Sequence, residues 1–355
     1  MLNSEGQLAR KNRAHCGCDD FSIAFPGNTN RIPAIQHSMR NIVKSLLIGL
    51  VFLRFMSAAT AQVAVAYVVA DHTTGYVLDA YKAGEKRQVA SLTKIATGKV
   101  VLDWAAKTGA DLAQPVVVPQ QAVLESGGIN PMGLQPNDLI SYRDLIYAAL
   151  MQSDNTAAAT LAYYVGAALR PEGGERMREL GAIEAFVAQM NALARQLGME
   201  RTLFVNPHGL EPRKGLQPYS TALDMAKLAA FAMKDAAFRF YVSQKERKIS
   251  FNRGGQVFQY LLRNTNELVG TSGIDGVKTG RTAKAGECII ISSQRDPEIT
   301  QQGSTTLVTP RRLNVVVLGA TDRIAAANQL LSHGWTLYDQ WAAAGRPMEN
   351  QAAQR

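Results

Sequence analysis

Apolar positions along the chain follow two alternating rhythms. VAVAYVVAD (63–71) and YVLDAY (76–81), rich in Val and Tyr and separated by the glycine-bearing HTTG, predict two strands of a hairpin. From Ser91 to Ala106 the apolar residues Ile95, Val100, Val101 and Trp104 recur at near-helical spacing, with Gly109 as the stop. Pro and Gly punctuate 131–138, after which SYRDLIYAALM restarts a helix with Ser141 as its cap. SDNTAAATLAYYVGAAL reads as an alanine-rich helix dense enough to be central, RPEGGER as a break, and Ala182 to Leu197 as an amphipathic helix. VNPHGLEPRKGLQPYS is a long loop and TALDMAKLAAFAM is helical again. KISFNRGGQVFQY, GIDGVKTGR, ECIIISSQ and LNVVVLGA alternate strands with turns before a last helix from Asp322 to Trp341. Early strands, a helical middle and late strands imply an α+β domain whose two ends meet in one sheet with helices on its faces.

Composition changes the picture mainly at the start. MRNIVKSLLIGLVFLRFMSAATAQ has a basic opening (Arg40, Lys44), an apolar run from Ser45 to Leu53 and the small-residue pattern Ala59-Thr60-Ala61, which is the build of a secretory signal at about 39–61. Arg54 interrupts the apolar stretch. The alternative is a buried helix, for which nothing upstream offers a packing partner. Residues 1–38 are polar and irregular and precede a second start at Met39, so residues 1–61 are expected to be a dispensable extension plus signal, with the mature chain beginning near Gln62.

The whole chain carries a formal charge of +9, and without residues 1–61 it keeps 31 basic and 26 acidic residues, a charge of +5. That suits a protein working near an anionic polymer. No basic stripe with interleaved aromatics occurs, so nucleic acid is not an expected partner. Cys16 and Cys18 fall in the removed piece, leaving Cys288 in a strand-like run as a core residue. His72, His208 and His333 stand in no zinc-binding spacing, so no metal is expected.

Candidate chemistry rests on three short motifs. Ser91 and Lys94 lie three apart on one helical face, so Lys94 could accept the Ser91 proton if its amine were neutral. For that its pKa must fall from about 10.4 to about 7, a differential cost of about 4 kcal/mol that burial and a second cation could supply. Ser153-Asp154-Asn155 opens the alanine-rich helix, and Lys278-Thr279-Gly280 follows the turn-prone GIDG. Each has a decoy: Ser250-Phe251-Asn252 in a strand-like hairpin, and Lys107-Thr108-Gly109 at a helix end. Ser153 could also be a plain helix cap, Asn155 a local turn former, and Lys278 a solvated strand residue.

In the order S-x-x-K, S-D-N, K-T-G the set resembles the penicillin-recognising serine acyltransferases. The flanks AYVVADHTTGYVLDAYKAGEKRQVASLTK, NPHGL, YSTALDMAKLA, NTNEL, GIDGVKTGRTAKAGECIIISS and NVVVLGATDR narrow this to the D-alanyl-D-alanine carboxypeptidase group of low-molecular-mass penicillin-binding proteins, over about Val63 to Trp341. The resemblance implies a β-lactamase/transpeptidase-like fold, with a central antiparallel sheet and helices on both faces, in one penicillin-binding peptidase domain at 62–345 followed by a polar tail at 346–355. It implies Ser91 as acylated nucleophile, Lys94 as proton acceptor and Ser153 as proton relay to the leaving D-alanine. Asn155 would bind the substrate amide. Lys278, with Thr279, Gly280 and Arg281 in the same binding strand, would hold the substrate carboxylate and help to depress the Lys94 pKa. Backbone N–H groups of Ser91 and Arg281 would form the oxyanion hole. Arginine after K-T-G departs from the expected pattern.

The implied substrate is a peptidoglycan stem pentapeptide, with β-lactams as inhibitors and no cofactor. Family members often add a second β-rich domain and a C-terminal amphipathic helix. Here the sequence after SHGWTLYDQW is a short polar tail without an apolar face, so no stable membrane anchor and a periplasmic enzyme are expected. A D,D-endopeptidase that cuts crosslinks is the alternative. A β-lactamase needs the E-x-x-L-N glutamate, which is not found between Asn155 and Lys278; Glu184 and Glu200 stand in other company. A wall-binding protein without turnover is a further reading. The stretch between Ser153 and Lys278 is long for the family, with the extra residues expected in LRPEGGERMREL and LEPRKGLQP.

Overall fold

In β1 (Ala66–Asp71) every residue is buried, because this strand is covered on both faces of the sheet that holds it. The sheet also contains β2 (Val77–Tyr81), β7 (Ile274–Thr282), β8 (Gly286–Gln302) and β9 (Thr305–Ala320), in the order β2-β1-β9-β8-β7. All neighbours are antiparallel. The computed structural model describes residues 64–170 and 180–348. The expected signal at 39–61, the start at Gln62, Cys16 and Cys18, most of LRPEGGERMREL and the end of the polar tail lie outside the described residues.

Alternation along β9 builds two cores. Leu313, Val315 and Val317 join Tyr67, Val69, Ile289 and Ile291 on one face, packed by the last helix, α8 (Arg323–Ala343). Val316 and Leu318 join Ala66, Val68, Ala70 and Ile290 on the other face, under the remaining helices. These are α1 (Lys94–Thr108), α2 (Gln120–Glu125), α3 (Tyr142–Met151), α4 (Asn155–Leu169), α5 (Ala182–Gln196), α6 (Ala222–Lys234) and α7 (Ala236–Val242). The expected α+β architecture, with the chain's early and late strands paired and helices on both faces, is what the structure has. Cys288 is buried in the core as expected, and burial pushes its thiol up to about 11.

Several elements differ from the sequence pattern. Helix α1 begins at Lys94 rather than Ser91, because Ala90–Thr93 form a 3₁₀ turn. It ends at Gly109 in the left-handed region, as the pattern required. Ser141 caps α3 by accepting the Asp144 N–H. A second, four-stranded sheet joins β3 (Pro115–Val117), β4 (Leu139–Ser141), β5 (Glu246–Arg253) and β6 (Gln256–Arg263). Its first two strands are three residues each, too short to carry a period. Strand β8 runs on past ECIIISSQ and β9 begins ahead of LNVVVLGA, and the added lengths form a two-stranded ribbon in which Ile299 faces Val308.

Candidate active site

The 3₁₀ turn holds Ser91 directly before α1, and Lys94, the first residue of that helix, is completely buried. Its Nζ lies 3.0 Å from Ser91 Oγ, 2.6 Å from Asn155 Oδ1 and 3.0 Å from the His208 carbonyl oxygen. The last two partners can only accept, so they claim two N–H bonds whatever the protonation state. The third direction faces Ser91, whose hydroxyl accepts from an ammonium or donates to the lone pair of an amine. One geometry therefore fits the lysine both as an ammonium and as a neutral amine. Burial lowers the Lys94 pKa to about 7, against the opposing pull of Asp154.

Ser153 and Asn155 frame the opening of α4. The cap of that helix is Asp154, whose Oδ1 accepts from Ala157 N at 2.9 Å, and Ser153 itself sits at φ 66. Left-handed backbone at a residue other than glycine costs energy, which the surrounding structure must offset. Ser153 is thus not the helix cap. Nor is Asn155 a turn former: it is buried, and its Nδ2 donates to the Ser126 carbonyl at 2.9 Å while its Oδ1 receives Lys94.

The third motif arrives on β7, an edge strand bonded only to β8, so half of its backbone groups face away from the sheet. Strand β7 packs against the 3₁₀ turn so closely that a Cβ on Gly280 would lie 2.9 Å from Ser91 N and 3.1 Å from Val89 O. Lys278 is buried, far from the solvated residue it could have been. Burial, then the Lys94 charge, then Arg323 hold its pKa well below the ordinary lysine range. Burial is the largest cause of the Lys94 shift, and the two buried amines lie within electrostatic reach of each other. Thr279 is buried with its hydroxyl on Thr265. The Arg281 side chain is 75% exposed and 3.6 Å from Glu287. The decoys lie elsewhere, Lys107 and Thr108 at the end of α1, Ser250 and Asn252 on β5 in the second sheet.

Three contributors carry no signature of their own. The His208 carbonyl anchors Lys94, and the imidazole beside it is held down to about 3 by burial and by the Lys94 charge, so it stays neutral. Gly209, at φ 89, lets the loop pass where a Cβ would lie 2.0 Å from Ala90 O. Buried Asp154 accepts from Ala157 N and Met132 N, and desolvation raises its pKa. NPHGL and the middle of S-D-N were in view, but a main-chain oxygen has no sequence pattern. Among the described residues no group of three or more His, Cys, Asp or Glu side chains is placed to hold a metal ion. No helix among them is long and apolar enough to cross a membrane.

A serine turn, a buried lysine and an antiparallel edge strand thus come together between a helical layer and a five-stranded sheet. The family described as D-alanyl-D-alanine carboxypeptidase, peptidase S11, matches residues 54–302, and the chain belongs to it. It is 33% identical over 283 residues to the D-alanyl-D-alanine carboxypeptidase DacC of Escherichia coli, covering 77% of this chain and 62% of that protein. It is 32% identical over 226 residues to a D-alanyl-D-alanine endopeptidase of Pseudomonas aeruginosa, covering 63% of this chain and 65% of the relative. The chain thus spans less than two thirds of the length of these relatives. Among solved structures, a Streptomyces DD-transpeptidase superposes with a TM-score of 0.63 at 27% identity, covering 77% of this chain and 97% of its own.

Proposed function

We propose that this chain is a serine-type D-alanyl-D-alanine carboxypeptidase acting on peptidoglycan stem pentapeptides. The observation that carries the reading is the completely buried Lys94 amine, 3.0 Å from Ser91 Oγ and with a pKa of about 7. Ser91 Oγ attacks the penultimate D-alanine carbonyl while its proton passes to Lys94 Nζ, and the backbone N–H groups of Ser91 and Arg281 receive the oxyanion. The C–N bond to the terminal D-alanine breaks, with Ser153 relaying a proton to the leaving amine. Water then hydrolyses the ester and restores the serine. Lys278 takes the terminal carboxylate, whose arrival returns the positive charge that burial and Lys94 hold down in Lys278, and Thr279, bonded to Thr265, steadies the strand that carries it. Asn155 keeps one amide hydrogen for the substrate after donating the other to Ser126. Gly280 gives the strand its close approach.

In this reading residues 62–345 form the peptidase unit, the segment at about 39–61 directs it to the periplasm, and β-lactams acylate Ser91 in place of substrate. A fluorescent penicillin should label the wild type and leave Ser91→Ala unlabelled, and purified pentapeptide should release D-alanine. Wild-type protein that stays unlabelled overturns the reading. The match to relatives named endopeptidases supports the second reading, cleavage of crosslinks. A crosslinked peptide dimer cut without D-alanine release from pentapeptide would decide for it.

A further inference from the structure

Strand β7 changes face just ahead of Lys278. Ile274 is buried in the core beneath α8, with Ile289 and Ile291. Two residues on, a Cβ at Gly276 would lie 3.0 Å from Val242 Cγ2 and 3.2 Å from Met233 Sδ, in the core on the opposite side of the sheet. In an unbroken strand, residues two apart share a face. Between these two stands Asp275, which has no partner on β8: Ile274 pairs with Ser293 and Gly276 with Ser292, so the extra residue makes a bulge. From Gly276 to Thr282 the register is unbroken.

The consequence falls on Lys278. It pairs with Ile290, of the core under the helices, and lies two positions from Gly280, which meets the Ser91 turn. Pairing continued from Ile274 without the bulge would set Lys278 opposite Ile289, in the core beneath α8. One residue decides which face of the sheet receives the amine.

What holds the bulge is a guanidinium from two strands away. Buried Arg312, on β9, reaches past β8 and takes both oxygens of Asp275, with Nη1 on Oδ1 at 2.6 Å and Nη2 on Oδ2 at 2.7 Å. On the way Nη1 donates to Ser292 Oγ at 2.9 Å and Nη2 to Gln294 Oε1 at 2.5 Å, both on β8. A bidentate pair fixes direction as well as distance.

We propose that Arg312 and Asp275 are positioning residues of the active site: their clamp holds the bulge that turns Lys278 into the cleft, and so governs recognition of the substrate's terminal carboxylate. The inference rests on the reading of Lys278 as the group that takes that carboxylate.

The test uses the full chain and two peptides, acyl-L-lysyl-D-alanyl-D-alanine and its C-terminal amide, followed by release of D-alanine or D-alaninamide, with thermal melts as control. Wild type should prefer the acid by about tenfold or more in kcat/KM, carried mainly by KM. In Asp275→Ala the bulge loses its clamp, and the preference should fall to about twofold or less. Asp275→Asn keeps an oxygen for one guanidinium N–H and should retain an intermediate preference. A fold that is only loosened slows both peptides alike. An unchanged acid-to-amide ratio in folded Asp275→Ala therefore overturns the clamp, as does an unchanged ratio in Asp275→Asn where the alanine variant does not fold. Equal wild-type rates on the two peptides overturn the role of Lys278, and the proposal with it, while the carboxypeptidase reading stands. If neither peptide is cleaved, that reading falls, and labelling by fluorescent penicillin, which carries a carboxylate of its own, decides. A labelling rate unchanged in Asp275→Ala then overturns the clamp, and a loss of about tenfold supports it. Wild type that neither cleaves nor labels overturns both.

Discussion

The Thr265 and Thr279 hydroxyl oxygens are 2.6 Å apart, and that bridge fastens the edge strand carrying Lys278 to the segment leading into Ser153. Thr265 binds the Met151 carbonyl twice, through its backbone N–H at 2.9 Å and its hydroxyl at 3.1 Å. Its one hydroxyl hydrogen is thereby committed, which makes Thr279 the donor in the bridge. Thr265→Val should lower kcat/KM for peptide by about tenfold through a rise in KM, and Thr265→Ser should restore most of it. Unchanged kinetics in Thr265→Val, with the melting temperature as a control, would remove the bridge from the site's positioning contacts.

Acylation should follow the Lys94 proton. The amine must be neutral to take the Ser91 hydrogen, and its pKa is about 7, so the rate should fall tenfold per pH unit below that value and level off above it. Rates of penicillin labelling between pH 5 and 9 check this. An acid limb near pH 10, the ordinary lysine range, would contradict the buried-amine account.

Asp154 gives a signed perturbation of the same limb. Its charge opposes the fall of the Lys94 pKa, so Asp154→Asn should shift the limb to lower pH. Asparagine still caps α4 at Ala157 N but loses the Met132 N–H as a donor to its second oxygen, and stability should drop by about 1 kcal/mol. The pH profile and a urea titration of one sample measure both effects. A shift towards higher pH would falsify the electrostatic assignment.

Two glycines should separate activity from folding. Gly280→Ala places a methyl against the backbone of Ser91 and Val89, where nothing can swing aside, and should cut acylation by about 100-fold. Gly209→Ala adds positive φ to a 2.0 Å clash with Ala90 O and should cost on the order of 3 kcal/mol or more of stability. Thermal melts and labelling rates of the two variants check the contrast. An alanine at 280 that labels normally would show that the strand can retreat from the turn.

Where a pattern was long it could be read. The strand LNVVVLGA, the alanine-rich helix and the last helix sit where hydrophobic rhythm put them, since each buries enough side chains to impose a period. Ser91, Lys94, Asn155 and Lys278 could be picked out because their residue types and order are unusual together. The 3₁₀ turn was hidden because Ser91 and Lys94 share a face in a 3₁₀ turn much as they do in an α-helix. The second sheet joins the local hairpin of β5 and β6 to β4, more than a hundred residues earlier, and no local window contains that pairing. The His208 carbonyl and the Thr265 bridge depend on which loop passes which helix, a matter of tertiary packing alone.

Strand β1 is held between β2, which follows it closely, and β9, which begins more than two hundred residues later. Synthesis therefore delivers Ser91 and Lys94 early and the strand packed beside them late. A growing chain has a hydroxyl at position 91 long before β7 reaches the turn, and non-local pairing of this kind is slow to form. Until that late hairpin has paired with β1 and closed the sheet, the strand that carries Lys278 has no frame to hold it against the Ser91 turn, so the site is the product of the whole domain and of no smaller piece.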